Sequence, residues 1–454
     1  MNPTRRGFLK IAALGGGLPT ISGSSEENNF GHSLESKIGA TAHLAGTLSA
    51  PAVRSERQLD RAALTRAVTS ACDWITDVAQ MKTDTLLGEQ NSHKLEHQHW
   101  RGALRGEYRA STHQWDFFCP VWHTGQAVKA LVWAAKALDR PDLLDAARLG
   151  AEFIGSARIA DRSSPHCGLI LGFEDFGDRS STSAVLEAID SLWLLADATG
   201  DNRYAEWANA AAAWEARYSY LGDGLFRDQF NVKTLSHDLP AAGASRPGRP
   251  LNDDAVFLIA AIRGGDPKLR AIFYEVADQL LRDEYPPGNW INYGPCNAST
   301  GMIHPRQAYW WGRPMIDAYR DSHNRRYLDC ARRAGQWYQN AMRLDGGLFR
   351  GTRRDFRTDS FSHATSGICC AVLLWEELWK ETHEGTWLEF IRTGLNFCQT
   401  MQLRNVRDPN LNGALIEGVE APDGTDASPY YVRDLASIFF VQAVSRLFID
   451  NIPA

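Results

Sequence analysis

Apolar and polar residues fall into a repeating order along this chain. Five times, a glycine-punctuated turn is followed by a helix that is apolar nearly all round, then a short polar break, then a helix with one charged face. The turns read CGLILGFEDFGD from Cys167, GDGLFRDQF from Gly222, NYGPCNASTGM from Asn292, DGGLFRGTRRDF from Asp345 and NGALIEG from Asn412. An anchor follows each polar break: Leu143, Tyr204, Leu269, Tyr327 and Trp387, spaced by 61, 65, 58 and 60 residues. One helix hairpin occupies each period. Strings such as AVKALVWAAKAL from Ala127, ATSGICCAVLLWEEL from Ala364 and LASIFFVQAVSRLFI from Leu435 are apolar nearly all round. A helix apolar on every side is buried on every side, so these suit an inner layer. YAEWANAAAAWEARY from Tyr204 and YLDCARRAGQWYQNAMR from Tyr327 carry charges on one side and suit an outer one.

A sixth unit fits around Trp115 to Leu138. Six hairpins of this kind predict an all-α fold, an (α/α)6 barrel, in which a long first helix, Leu59 to Lys82, pairs with the last. An open helical solenoid with the same repeat is the alternative. The inner helices are predicted to start near His123, Ser183, Asp254, Tyr309, Ala364 and Val432 and to open to one face. That mouth is where chemistry is expected, although a fold does not name a reaction.

The repeat runs too continuously for several domains, so residues 56–454 are read as one catalytic domain. Hydrophobic residues at 44% and aromatics at 10% provide for a sizeable core. A net charge of −6, with no basic run outside the extreme N-terminus, argues against a nucleic-acid partner. No stretch reaches the roughly 20 apolar residues of a membrane span. TRRGFLK, Thr4 to Lys10, followed by the glycine-rich IAALGGGLPTISG, predicts a twin-arginine signal. That implies the twin-arginine export machinery as a partner and a periplasmic or secreted product. Residues 1–55 are read as this signal and a flexible linker, outside the fold. The eight cysteines show no CxxC spacing, and neither a metal nor a cofactor is indicated. Cys330, Cys369, Cys370 and Cys398 fall in helical patterns as buried thiols, while a disulfide among Cys119, Cys167 and Cys296 stays open.

The turns entering the inner helices are rich in aromatic and charged residues. The first offers Trp115, Asp116, Trp122 and His123; the second Glu174, Asp175, Asp178 and Arg179; the third Asn252, Asp253 and Asp254. The fourth offers His304, Arg306, Tyr309, Trp310, Trp311 and Arg313; the fifth Asp355, Arg357, Asp359 and His363; the sixth Asp426, Tyr430, Tyr431, Arg433 and Asp434. Aromatic rings flanked by acids, arginines and histidines suit a sugar, whose pyranose face stacks while charged groups take its hydroxyls or carboxylate. Equally, aromatics plug barrels and acids cap helix N-termini. So many arginines and histidines are more than plugging requires.

At these residues the chain resembles the unsaturated glucuronyl hydrolases of the six-hairpin glycosidase superfamily. RQAYWWGRPMIDAYRDSHNRRYLDCA from Arg306 is similar to their Arg-Gly-Gln-Ala-Trp region, HATSGICCAVLLWEEL to a later helix, and LLADATGDNRYAEWA to the break after their catalytic aspartate. The resemblance implies an (α/α)6 barrel that hydrates a vinyl ether, with an aspartate as acid and base and no metal. Counting back from Gly200, that aspartate's place falls near Ser183 or Ala184, and the family's His-Asp turn falls near His123. No GH..EW string of sugar 2-epimerases is present.

The sequence therefore favours an exported enzyme that hydrolyses glycosidic bonds of an acidic, uronic-acid-containing oligosaccharide or polysaccharide. Asp116, His123, Asp253, His304, Tyr309 and His363 are its candidate catalytic residues, with Asp253 or Asp116 as the acid. Trp115, Asp178, Asp254, Arg306, Trp310, Arg313, Tyr430 and Arg433 are its candidate substrate-binding residues, with Trp310 stacking the sugar and Arg306 holding a carboxylate. A polysaccharide lyase with Tyr309 or His304 as base is the main alternative. A non-sugar isomerase or dehydratase and a non-catalytic sugar-binding protein are the others.

Overall fold

The computed structural model describes residues 58–85, 99–172, 179–231, 233–238, 246–358, 364–419 and 430–453. Twelve α-helices run through them in hairpins. They are α1 Arg61–Trp74, α2 Pro120–Leu138, α3 Asp142–Ser156, α4 Thr182–Thr199, α5 Asn202–Trp214, α6 Val256–Gly264, α7 Pro267–Asp283, α8 Gln307–Ser322, α9 Arg325–Ala341, α10 Thr365–Thr382, α11 Gly385–Thr400 and α12 Asp434–Ile449. The even-numbered helices form a closed inner ring. α2 packs on α4 and α12, and α10 on α8 and α12. The 3-10 turn Asp253–Ala255 that precedes α6 packs on α4 and α8 and completes the circle. Each odd-numbered helix packs outside, and α1 lies against α12, as a ring closed between chain ends requires.

Burial follows the two patterns read from the sequence. Every residue of α4 from Val185 to Trp193 is buried, whereas α5 buries Tyr204, Ala208, Ala211 and Ala212 along one stripe. The polar breaks contain a stop and a start. Inner helices end on left-handed residues, Asp139, Gly200, Gly265, His323 and His383. The outer helices α5, α7 and α9 begin on Asp201, Asp266 and Asn324, whose side chains accept backbone N–H bonds. The main apolar core runs from Leu64 to Ile452, and a small second cluster gathers Leu169, Trp214 and Phe230.

The inner helices begin at Pro120, Thr182, Val256, Gln307, Thr365 and Asp434, each within three residues of its predicted start. Short strands also frame the mouth, which helical periodicity does not reveal because most are two to four residues long. One sheet has the order Gly418–Val419, Tyr430–Arg433, Gly106–Arg109, Gln114–Phe117 and pairs Glu107 with Arg433. All eight cysteines are free, so no disulfide links Cys119, Cys167 and Cys296. Among the described residues, no helix is long and apolar enough to cross a membrane.

Candidate functional site

The first turns of the inner helices converge at one end of the barrel. His123 of α2 meets Asp434 of α12, and Gln126 of α2 donates to the Glu187 carbonyl of α4 at 2.7 Å. Trp310 of α8 donates its indole N–H to Glu187 Oε2 at 3.0 Å. Arg306, just before α8, donates to Ser366 Oγ of α10 at 2.7 Å. These contacts join five inner helices, α2, α4, α8, α10 and α12, around one mouth.

Aromatic rings cluster at this mouth. The His304 ring stacks on Trp310 with centroids 5.1 Å apart and planes 5° from parallel. Trp122 lies 6.4 Å from Trp310, and the Arg306 guanidinium sits 5.6 Å and 5.3 Å from the two indole rings. Burial, together with the positive charges of Arg306, Arg350, Arg433 and Arg249, holds His304 well below its ordinary pKa. Its imidazole is therefore neutral at physiological pH.

A cluster of three carboxyls, Glu187, Asp253 and Asp254, meets these rings at Trp310. Burial, and then the charges of Asp253 and Asp254, push Glu187 well above the usual carboxylate range. Burial raises Asp253 to about 7, against the pull of Arg249. Asp254 is bound differently: Lys129 Nζ lies 2.6 Å from its Oδ2 and 2.9 Å from Asp190 Oδ2. One buried lysine thus serves two carboxylates, Asp190 and Asp254. A pair of carboxyls with raised pKa values can hold a proton at neutral pH and transfer it. Among the described residues, Asp253 Oδ2, both amide atoms of Asn252 and both of Gln307 are buried with no hydrogen-bond partner. Buried polar atoms are nearly always satisfied, so these groups are suited to water or a hydroxylated ligand.

Several predicted residues have other roles. His123 and Asp434 are both fully buried, with Nδ1 2.5 Å from Oδ1, and Asp434 also accepts from the Gly106 amide. This pair ties α2 to α12. Trp115 packs on Tyr108 and on Trp74 of the outer helix α1, because alternation along its strand turns it away from the mouth. Asp116 takes the opposite face, 4.0 Å from Arg109. Arg306 is only 4% exposed and lies 3.5 Å from Glu417, so its guanidinium is part of a buried ion pair rather than a free clamp. Arg313 pairs with Asp317 at 3.0 Å one turn along α8, and Arg433 with Glu107 at 2.6 Å. Burial raises the Tyr309 phenol well above its ordinary pKa, with Asp254 adding to the effect. Asp253, Asp254, His304, Tyr309, Arg306 and Trp310 are brought together; Asp178, His363 and the side chain of Tyr430 lie outside the described residues.

Glu187, Lys129, Arg350 and Glu417 were not among the predicted residues. Their signal was present. Lys129 and Glu187 are charges inside helices that are otherwise apolar, and a buried charge demands a partner. Glu417 is the one charge of the fifth glycine turn and accepts from the Ser366 amide at 2.7 Å and from its hydroxyl at 2.5 Å. Among the described residues, no group of His, Cys, Asp and Glu is placed to hold a metal ion.

No known protein family and no curated protein sequence matches this chain. Solved structures do. An unsaturated glucuronyl hydrolase specific for heparin superposes with a TM-score of 0.61 at 14% identity, over 86% of this chain and 99% of that one. A cellobiose 2-epimerase from Spirochaeta thermophila gives 0.59 at 16% identity, over 86% and 98%. A D-mannose isomerase gives 0.60 at 11% identity, over 88% and 100%. At these identities the likeness is one of architecture, and this chain has the (α/α)6 barrel that the six-hairpin glycosidases and these sugar epimerases and isomerases share.

Proposed function

We propose that this protein is a carbohydrate-active hydrolase that cleaves glycosidic bonds of an acidic, uronic-acid-containing oligosaccharide. The observation that carries the proposal is Glu187, a carboxyl that burial and two neighbouring acids keep protonated, held by the indole N–H of Trp310. Glycoside hydrolysis requires one carboxyl that is protonated and one that is ionised. Glu187 supplies the proton to the leaving oxygen. Asp253, with its pKa near 7, supplies the carboxylate that assists water or the anomeric carbon. The Trp122, His304 and Trp310 rings offer faces for a pyranose. The fold-mates named above are sugar enzymes by name, which supports a sugar substrate.

Elimination is the weaker reading. Its candidate bases are Tyr309, which keeps its proton at neutral pH, and His304, whose depressed pKa makes it a poor proton acceptor. Incubation with uronate-containing oligosaccharides should release reducing ends without creating the ultraviolet absorbance of a conjugated uronate. Glu187→Gln should lower kcat by about 10²- to 10⁴-fold while leaving the protein folded. Full turnover in that variant, or appearance of the chromophore, would overturn the proposal. We also propose export by the twin-arginine route, which rests on the TRRGFLK string.

A further inference from the structure

We propose that Arg350 is the group that takes the substrate's carboxylate, and that a planar monoanion such as a uronate is what the mouth selects; this rests on the hydrolase reading above. Four guanidinium groups act on His304: Arg306, Arg350, Arg433 and Arg249. Three of them are held. Arg249 lies 2.5 Å from Asp228 Oδ2, Arg433 lies 2.6 Å from Glu107 Oε1, and Arg306 is bound by Ser366 and Glu417. Arg350 differs. Its ion pair among the described residues is a 3.9 Å approach to Glu417, a carboxylate already shared with Arg306 and with Ser366. Its side chain is 24% exposed, against 4% for Arg306, so it meets solvent without a full desolvation cost.

The chemistry of the group fits this role. A guanidinium binds a planar carboxylate with two parallel hydrogen bonds, a geometry a hydroxyl cannot match. Position agrees. The short ladder Met302–Ile303 with Thr352–Arg353 pairs Ile303 with Thr352. The segments leaving it carry His304 on one side and Arg350 on the other, so Arg350 flanks the stacking surface. The amides of Asn252 and Gln307, buried with no hydrogen-bond partner among the described residues, add groups suited to hydroxyls.

The test compares wild type, Arg350→Gln and Arg350→Lys on a glucuronate-terminated oligosaccharide and on its carboxyl-reduced counterpart, in which glucose replaces glucuronate. Arg350→Gln should lose about tenfold to a hundredfold in kcat/KM on the acidic substrate and little on the neutral one, with Arg350→Lys between. Equal losses on both substrates, or no loss on the acidic one, would overturn the proposal. Calorimetric titration with glucuronate itself keeps the inference testable if no turnover is found. Weaker binding by Arg350→Gln than by wild type would then support the clamp while the hydrolase reading failed. No binding of glucuronate to wild type, or tighter binding of inorganic sulfate, would sink the clamp regardless of catalysis.

Discussion

At the scale of single residues, partners decide what a side chain does, and partners are what a sequence does not print. His123 and Arg306 stood out as polar residues at helix starts, and both proved to be buried and paired across the ring. Asp253 and Trp310 stood out for the same reason and do border the carboxyl cluster. The turns located the mouth, but only three-dimensional neighbours separated a working acid from a structural one. Asp253 gives that distinction a measurable form. Its folded pKa, about 7, lies above the unfolded value near 3.8. A raised carboxyl contributes its stability below the unfolded pKa and loses it as pH rises through the folded one. Asp253→Asn should therefore stabilise the protein by about 1–4 kcal/mol at pH 8 and by little at pH 4. The same titration should appear in catalysis. In wild type, kcat/KM should rise as Asp253 ionises near pH 7, then fall at higher pH as Glu187 ionises. Denaturant titrations at the two pH values, with a pH–rate profile, check both. Equal stability of variant and wild type at pH 8 would mean that Asp253 is not held above its ordinary value.

At the scale of elements, the sequence was most legible. Helix existence, order and type followed from the switch between all-apolar and one-sided patterns, because burial on every face and burial on one face leave different traces. The mouth strands left none, being too short for a period of two to show. Some close approaches were also invisible. Gly125 lets α2 cross α4, and an added Cβ there would lie 2.4 Å from the Ala188 Cα and 2.7 Å from its Cβ. Ala188 neighbours Glu187, and Gln126 neighbours Gly125 and bonds the Glu187 carbonyl. The crossing therefore sets where the acid stands. Gly125→Ala should cost about 1–3 kcal/mol through overpacking and should lower kcat with it. Gly264, at the end of α6, has nothing within 4 Å of a built Cβ, so Gly264→Ala should leave both quantities nearly unchanged. Similar behaviour of the two variants in denaturant melts and turnover would show that the α2–α4 contact has slack.

At the scale of the whole molecule, the ring is closed by its ends. α1 packs on α12, and Asp434 at the start of α12 binds His123 of α2, so the barrel is incomplete until the last helix is in place. This bears on the proposed export route. A twin-arginine signal serves proteins that fold before they cross, whereas a general secretory signal passes unfolded chain. Two lesions should then have one outcome for different reasons. Replacing Arg5 and Arg6 by Lys removes the address and should leave a folded, full-length precursor in the cytoplasm. Truncation before Asp434 keeps the address but removes α12, exposing the apolar faces of α2, α10 and α1. That chain should also stay inside, unfolded and open to proteolysis. Cell fractionation with immunoblotting reads location, and limited proteolysis reads folding. Normal export of the double-lysine variant would refute the signal. Export of the truncated chain would show that crossing does not wait for the ring to close, and that the folded-state route proposed from TRRGFLK is wrong.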